Sequence, residues 1–116
     1  MPFKPNWTPT ARKQYDDLKA AAELALAARK KEGRSKASEQ EGLFKQVHKC
    51  VQNLVNNPRH PSLKTHEYNS LPHPWDKKQK VFEAYAQNNT PGAYRVFWCY
   101  GPGRDELTII AIAAHA

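Results

Sequence analysis

The sequence predicts an α+β domain, an N-terminal helical hairpin packed on one face of a three- to four-stranded antiparallel sheet. Three observations predict it. Apolar residues recur with the 3.6-residue period of a helix up to Pro58 and with the two-residue period of a strand after it. The later segments are joined by turns too short for a crossover, which favours antiparallel pairing. Helices that precede strands, rather than alternating with them, gather on one side of the sheet and leave the other side open. At 116 residues the chain has the length of one domain, taken as 1–116.

Each element has a local cause. Residues 3–7 read as a short extended piece. Thr8 and Pro9 supply an N-cap followed by proline at the first helical position. Over 11–31, Tyr15, Leu18, Ala22 and Leu26 share one helical face, alanine is abundant, and Gly33 ends the run. Ser38 and Glu41 match a capping box, in which each side chain satisfies the other residue's orphan backbone donor. Leu43, Val47, Cys50, Val51, Leu54 and Val55 then form one stripe, stopped by Asn56-Asn57-Pro58. Residues 63–68 alternate as a strand would, and 69–79 read as a loop. A strand over 81–86 is followed by a turn at 88–92. Residues 93–100, rich in aromatic and β-branched side chains, form the strongest strand. Gly101 to Asp105 turn the chain into a nearly all-apolar last strand, 107–113.

Composition narrows the class. Eighteen Lys and Arg against 11 Asp and Glu leave a net charge of +7, and the apolar content of 40% is enough for a core. No apolar run approaches the roughly 18 residues of a membrane span. The first residues lack the apolar stretch of a secretory leader, so a cytoplasmic location is expected. Cys50 and Cys99 each lie inside an apolar periodic segment and read as small buried hydrophobes, leaving no disulfide frame and no metal site.

Alternation in 93–100 puts Tyr94, Val96, Trp98 and Tyr100 on one face and Arg95, Phe97 and Cys99 on the other. The first set is the bulkier and is expected in the core. Arg95 then projects from the opposite face at mid-strand. A charge there needs water, an anion, or an acid such as Glu83 on the neighbouring strand.

Four segments together, Asn57-Pro58-Arg59-His60-Pro61-Ser62-Leu63-Lys64-Thr65-His66, Val81-Phe82-Glu83-Ala84-Tyr85, Gly92-Ala93-Tyr94-Arg95-Val96-Phe97-Trp98 and Thr108-Ile109-Ile110-Ala111-Ile112 followed by His115, resemble the RelE/ParE superfamily of bacterial toxins. The resemblance spans nearly the whole chain and implies the toxin of a type II toxin–antitoxin system. Most RelE-like members cut messenger RNA on the ribosome, whereas ParE-like members inhibit DNA gyrase without cutting RNA. In the nuclease branch, basic residues and one or two histidines occupy the open sheet face, and an arginine on the penultimate strand contacts phosphate. Arg95 sits at that position. Members resembling YoeB close on a His-Tyr pair; this chain closes on His115-Ala116, so the histidine matches and the tyrosine is missing.

The chemistry has defined needs. A base takes the 2′-OH proton, cations stabilise the phosphorane, and an acid protonates the leaving 5′-oxygen. Histidine suits either proton transfer and arginine suits the phosphate. The expected catalytic set is Arg95, His115, His66 and Lys64, the last two sharing strand parity. Arg59, His60, Lys77 and Lys78 are expected to bind RNA, with no metal and no cofactor. His48 reads as a flanking helix residue and His73 as a loop residue. The basic helix faces suit either solvation, ribosomal RNA or an acidic cognate antitoxin that folds as it binds. Expected partners are that antitoxin and mRNA on the 70S ribosome, with no membrane, and with a homodimer and a toxin–antitoxin hetero-oligomer both open. The alternatives are a ParE-like gyrase inhibitor and an RNA-binding domain without toxicity.

Overall fold

The computed structural model of the chain describes residues 2–87 and 92–114. Its elements are β1 (Lys4–Trp7), α1 (Pro9–Lys31), α2 (Glu39–Asn56), a 3-10 turn at Pro61–Leu63, β2 (His66–Glu67), β3 (Phe82–Tyr85), β4 (Tyr94–Tyr100) and β5 (Glu106–Ala114). The strands make one sheet in the order β1-β5-β4-β3-β2. Strands β2 to β5 pair antiparallel, as expected, while β1 adds a fifth, parallel strand on the far side of β5.

Both helix starts follow their sequence signals. The Thr8 hydroxyl accepts from Ala11 N at 3.0 Å and donates to Ile110 O at 2.6 Å, so one side chain caps α1 and ties it to β5. Ser38 and Glu41 form the capping box, and Glu41 also receives Arg29 of α1 at 2.9 Å. Hydrogen bonding to Arg29, then to Ser38 N, holds the Glu41 carboxyl down at about 2. The hairpin is further joined by a Tyr15 hydroxyl to His48 Nδ1 contact at 2.8 Å, which gives His48 a partner that its flanking position did not reveal. Strand β1 covers only the first part of β5; beyond it Gln14 of α1 accepts from Ile112 N at 2.7 Å and satisfies that uncovered edge.

The helices cover one sheet face. Ala11, Val47 and Leu54 pack there against Val96, Trp98, Leu107, Ile109 and Ile112, so β4 divides its two faces as the alternation required. Cys50 and Cys99 are free and buried, and burial pushes their thiols up to about 12 and about 11. The opposite face departs from expectation because it is not left open. Tyr68, Leu71 and Val81 fold over Phe97, Cys99 and Ile110 and close one end of it. A bulge in the β4–β5 ladder, where Phe97 pairs Ala111 and Trp98 pairs Ile109, gives β5 one extra residue and lets both Ile110 and Ala111 join that outer cluster.

The strand expected over 63–68 is the other correction. Pro61 starts a 3-10 turn, Lys64 closes it in the left-handed region at φ 48°, and only His66 and Glu67 pair with β3. Strand parity therefore does not align Lys64 with His66. The turn expected at 88–92 falls almost entirely outside the described residues.

Candidate functional site

At the end of the outer face left uncovered by the Tyr68–Leu71 cluster, four side chains from three strands converge. Register places His66 opposite Glu83 and Tyr85 opposite Arg95. Alternation sends all four to the same side. Arg95 is 1% exposed and Glu83 2%, both far below what lone charges tolerate. They compensate each other. Arg95 Nε lies 3.8 Å from Glu83 Oε1, an ion pair outside hydrogen-bond range, while its Nη1 donates to Tyr94 O at 3.1 Å. The guanidinium carbon also lies over the Tyr85 ring, 4.0 Å from its centroid. Glu83, named from the sequence only as a neighbour able to neutralise Arg95, does so.

Glu83 also holds His66. His66 Nε2 stands 2.9 Å from the same Oε1, and Nδ1 lies 3.1 Å from Lys64 O. Both partners are acceptors, so a doubly protonated imidazole serves both and a neutral ring serves one. The His66 ring meets the Tyr85 ring edge-on at 5.7 Å, and its side chain remains 48% exposed. The arrangement is an accessible imidazole fixed in orientation by a buried carboxylate, which is itself backed by a buried guanidinium. Release of the longer contact, Nδ1 to Lys64 O, frees one nitrogen to exchange a proton with a group arriving from solvent. Glu83 and Tyr85 are the members that sequence reasoning did not count as site residues. A lone acid between Phe82 and Ala84 in a strand was the available signal.

The remaining expected residues scatter. Arg59, His60 and Lys64 line a separate cavity of about 460 Å³ beside Thr65, Trp98 and Tyr100. His60 Nδ1 accepts from Ser62 N at 3.1 Å and so caps the 3-10 turn. Lys64 reaches the His66 cluster through its carbonyl, and its side chain is exposed. Lys77 and Lys78 are exposed on the loop before β3, where Asp76 accepts from Lys78 N. His73 differs from a solvated loop residue: it is buried, and its Nδ1 accepts from Trp75 N and Asp76 N. His115 lies outside the described residues, and Ala114, the last described residue, registers with Tyr94. Among the described residues, no three His, Cys, Asp or Glu side chains are grouped to hold a metal ion, and no helix is long and apolar enough to cross a membrane.

The sequence matches no family model and no curated protein. Solved structures share its fold. The chain is similar to the YoeB/ParE toxin from Agrobacterium tumefaciens, with a TM-score of 0.59 and 12% identity over 97% of this chain and 99% of that one. It is also similar to the YoeB dimer from Staphylococcus aureus, with a TM-score of 0.57 and 9% identity over the whole of both chains, 100% each. The α+β architecture expected from the sequence is therefore the fold of YoeB/ParE toxins.

Proposed function

We propose that this chain is the toxin of a bacterial type II toxin–antitoxin system, an endoribonuclease that cuts mRNA on the ribosome and so inhibits translation in the cytoplasm. The observation that carries the reading is the His66–Glu83–Arg95 relay: an exposed imidazole whose two nitrogens are both held, on a fold shared end to end with YoeB/ParE toxins.

In this reading the 2′-oxygen attacks the adjacent phosphorus, the P–O5′ bond breaks, and a 2′,3′-cyclic phosphate and a 5′-hydroxyl result. His66 donates the proton to the leaving 5′-oxygen, and His115 takes the 2′-OH proton. Arg95, enclosed by Glu83 and Tyr85, acts differently from the phosphate contact that the family resemblance implies. It pairs with Glu83 and holds it in place, and Glu83 keeps His66 aimed. Arg59, His60, Lys77 and Lys78 add phosphate contacts along the strand, and an acidic antitoxin neutralises the basic surface. The need for a 2′-OH restricts cutting to RNA.

The test is induced expression in a bacterium with transcriptome-wide mapping of mRNA 5′ ends, for the wild type and His66→Gln. The expected outcome is new 5′ ends within ribosome-bound codons and growth arrest, with cleavage reduced by at least about a hundredfold in His66→Gln, the usual weight of a proton-transfer group. Intact mRNA would end the nuclease reading. Enclosure of Arg95 in an ion pair favours one second reading, a ParE-like gyrase inhibitor with no use for a phosphate-binding arginine. That reading predicts intact mRNA, chromosome breaks and lost supercoiling activity of gyrase.

A further inference from the structure

One side chain touches both ends of the His66 relay. The Arg95 guanidinium carbon lies over the Tyr85 ring at 4.0 Å, and the His66 ring meets the same ring edge-on at 5.7 Å, with an angle of 82° between the planes. Register explains the double contact. Tyr85 stands opposite Arg95 across one ladder and two residues along β3 from Glu83, which stands opposite His66 across the other. Alternation sends Tyr85 and Glu83 to the same side of the sheet. Tyr85 is half-buried and Arg95 is 1% exposed, so the ring is part of what shuts the guanidinium from water.

The distances within the relay are unequal. A guanidinium and a carboxylate with freedom to choose their geometry close to about 2.7–2.9 Å, often through two parallel bonds. Here Arg95 Nε stops 3.8 Å from Glu83 Oε1, whereas His66 Nε2 approaches that same oxygen to 2.9 Å. Two groups compete for one oxygen, and the imidazole has the short contact. The guanidinium is engaged elsewhere. Its Nη1 donates to Tyr94 O at 3.1 Å, and its carbon is drawn to the Tyr85 ring by a cation–π attraction that desolvation strengthens. The carbonyl belongs to the backbone of β4 and would be there with any sequence. The ring is there because residue 85 is tyrosine.

We propose that Tyr85 is a positioning residue: its ring detains Arg95 at 3.8 Å, so that Glu83 Oε1 stays with His66. It acts on the imidazole through Arg95 and Glu83. Without the ring, the guanidinium closes on Oε1, the carboxylate turns to meet it, and His66 Nε2 loses the contact that aims it. The imidazole then keeps its proton on Nδ1, where Lys64 O accepts it. The property used is the negative face of the ring, so phenylalanine at 85 preserves the arrangement and an aliphatic side chain does not. The effect on cleavage rests on the nuclease reading above; the hold of Glu83 on His66 is measurable without RNA.

The experiment is nitrogen-15 NMR of the histidine rings in alkaline buffer, where imidazoles are neutral, for wild type, Tyr85→Phe and Tyr85→Leu. The His66 signals are those missing from His66→Gln. Expected is a His66 proton held on Nε2 in wild type and Tyr85→Phe, and moved towards Nδ1 in Tyr85→Leu. The same three proteins are then assayed on ribosomes programmed with mRNA. There kcat should fall about tenfold or more in Tyr85→Leu with KM unchanged, since misplacing a catalytic group by about 1 Å costs up to a hundredfold, and Tyr85→Phe should cleave as wild type. Thermal melts report folding. If Tyr85→Leu melts early, pentafluorophenylalanine at position 85, which keeps the shape of the ring and removes its negative face, takes its place with the same expected result. One His66 tautomer in all variants overturns the proposal, and so does a Tyr85→Phe variant as impaired as Tyr85→Leu, which would assign the effect to the hydroxyl. A moved tautomer with mRNA left uncut by the wild type keeps this inference and sinks the nuclease reading; cut mRNA with an unmoved tautomer does the reverse.

Discussion

The two faces of this sheet are built from alternating residues of the same strands, yet they are held by opposite means. On the helix face, Val96, Trp98, Ile109 and Ile112 meet α1 and α2 in an apolar layer. On the outer face, Glu83 and Arg95 are as thoroughly buried and face each other as an acid–base pair. Apolar burial contributes roughly 25 cal/mol per Å². A buried ion pair gains little net, because desolvation offsets the attraction. The helix face explains why the chain folds. The outer face is organised around the position of a charge, at little benefit to stability, which is the pattern of a site rather than of a core.

The sharpest way to break that contrast is to strip one partner from the outer face. Glu83→Leu leaves the Arg95 guanidinium buried without its carboxylate and is expected to cost about 3–5 kcal/mol in urea unfolding. The double variant Glu83→Leu/Arg95→Met is expected to recover most of that loss while remaining inactive in the growth-arrest assay. A double variant as unstable as the single one would mean that the pair does support the fold.

Next in size, Leu54→Ala on the helix face removes a fully buried side chain and is expected to cost about 2–5 kcal/mol, with no second-site substitution that restores it as cheaply. Equal rescue on both faces would erase the distinction between them.

The smallest effect concerns an ion pair outside the core. Arg29 and Glu41 keep side-chain exposures of 20% and 13% and join the two helices. The Glu41 carboxyl is held at about 2, below its ordinary 4.5, first by the Arg29 hydrogen bond. Because the folded value is the lower one, this stabilisation is complete above about pH 4.5 and fades as pH falls towards 2. Urea midpoints followed over that range should decline less steeply in Glu41→Gln than in the wild type. Identical slopes would show that the hairpin draws nothing from the pair.

Local causes were legible and distant ones were not. The Thr8 cap, the Ser38–Glu41 box, the stripe ending at Leu54 and the division of β4 all follow from spacings of a few residues, and all stand in the structure. Residues 3–7 are extended as read, but their place in the sheet was not legible, because Lys-Pro-Asn-Trp carries no alternation and its pairing depends on β5. The alternation over 63–68 misled because Pro61 and Ser62, with His60 as cap, commit the backbone to a 3-10 turn before strand pairing begins. Of the catalytic set, Arg95 and His66 do share one cluster. What joins them is Glu83, whose importance lies in a cross-strand register that spacing within one segment cannot express. The exposed Tyr100 was assigned to the core by parity, which is correct for its direction but silent about where the sheet ends.

The pairing of β1 with β5 has a kinetic consequence. Asn6 and Glu106, joined by a side-chain hydrogen bond in that ladder, are 100 residues apart. During synthesis β1 therefore leaves the ribosome well ahead of the strand it pairs with, Asn6 preceding Glu106 by 100 residues. The Thr8 hydroxyl likewise has no Ile110 carbonyl to meet until the last strand has emerged. The hairpin is free to assemble early from contacts near in sequence, while closure of the sheet depends on long-range contacts that form slowly. Strand β4, which carries Arg95, gains its second neighbour only when Ala113 and the rest of β5 have joined the sheet.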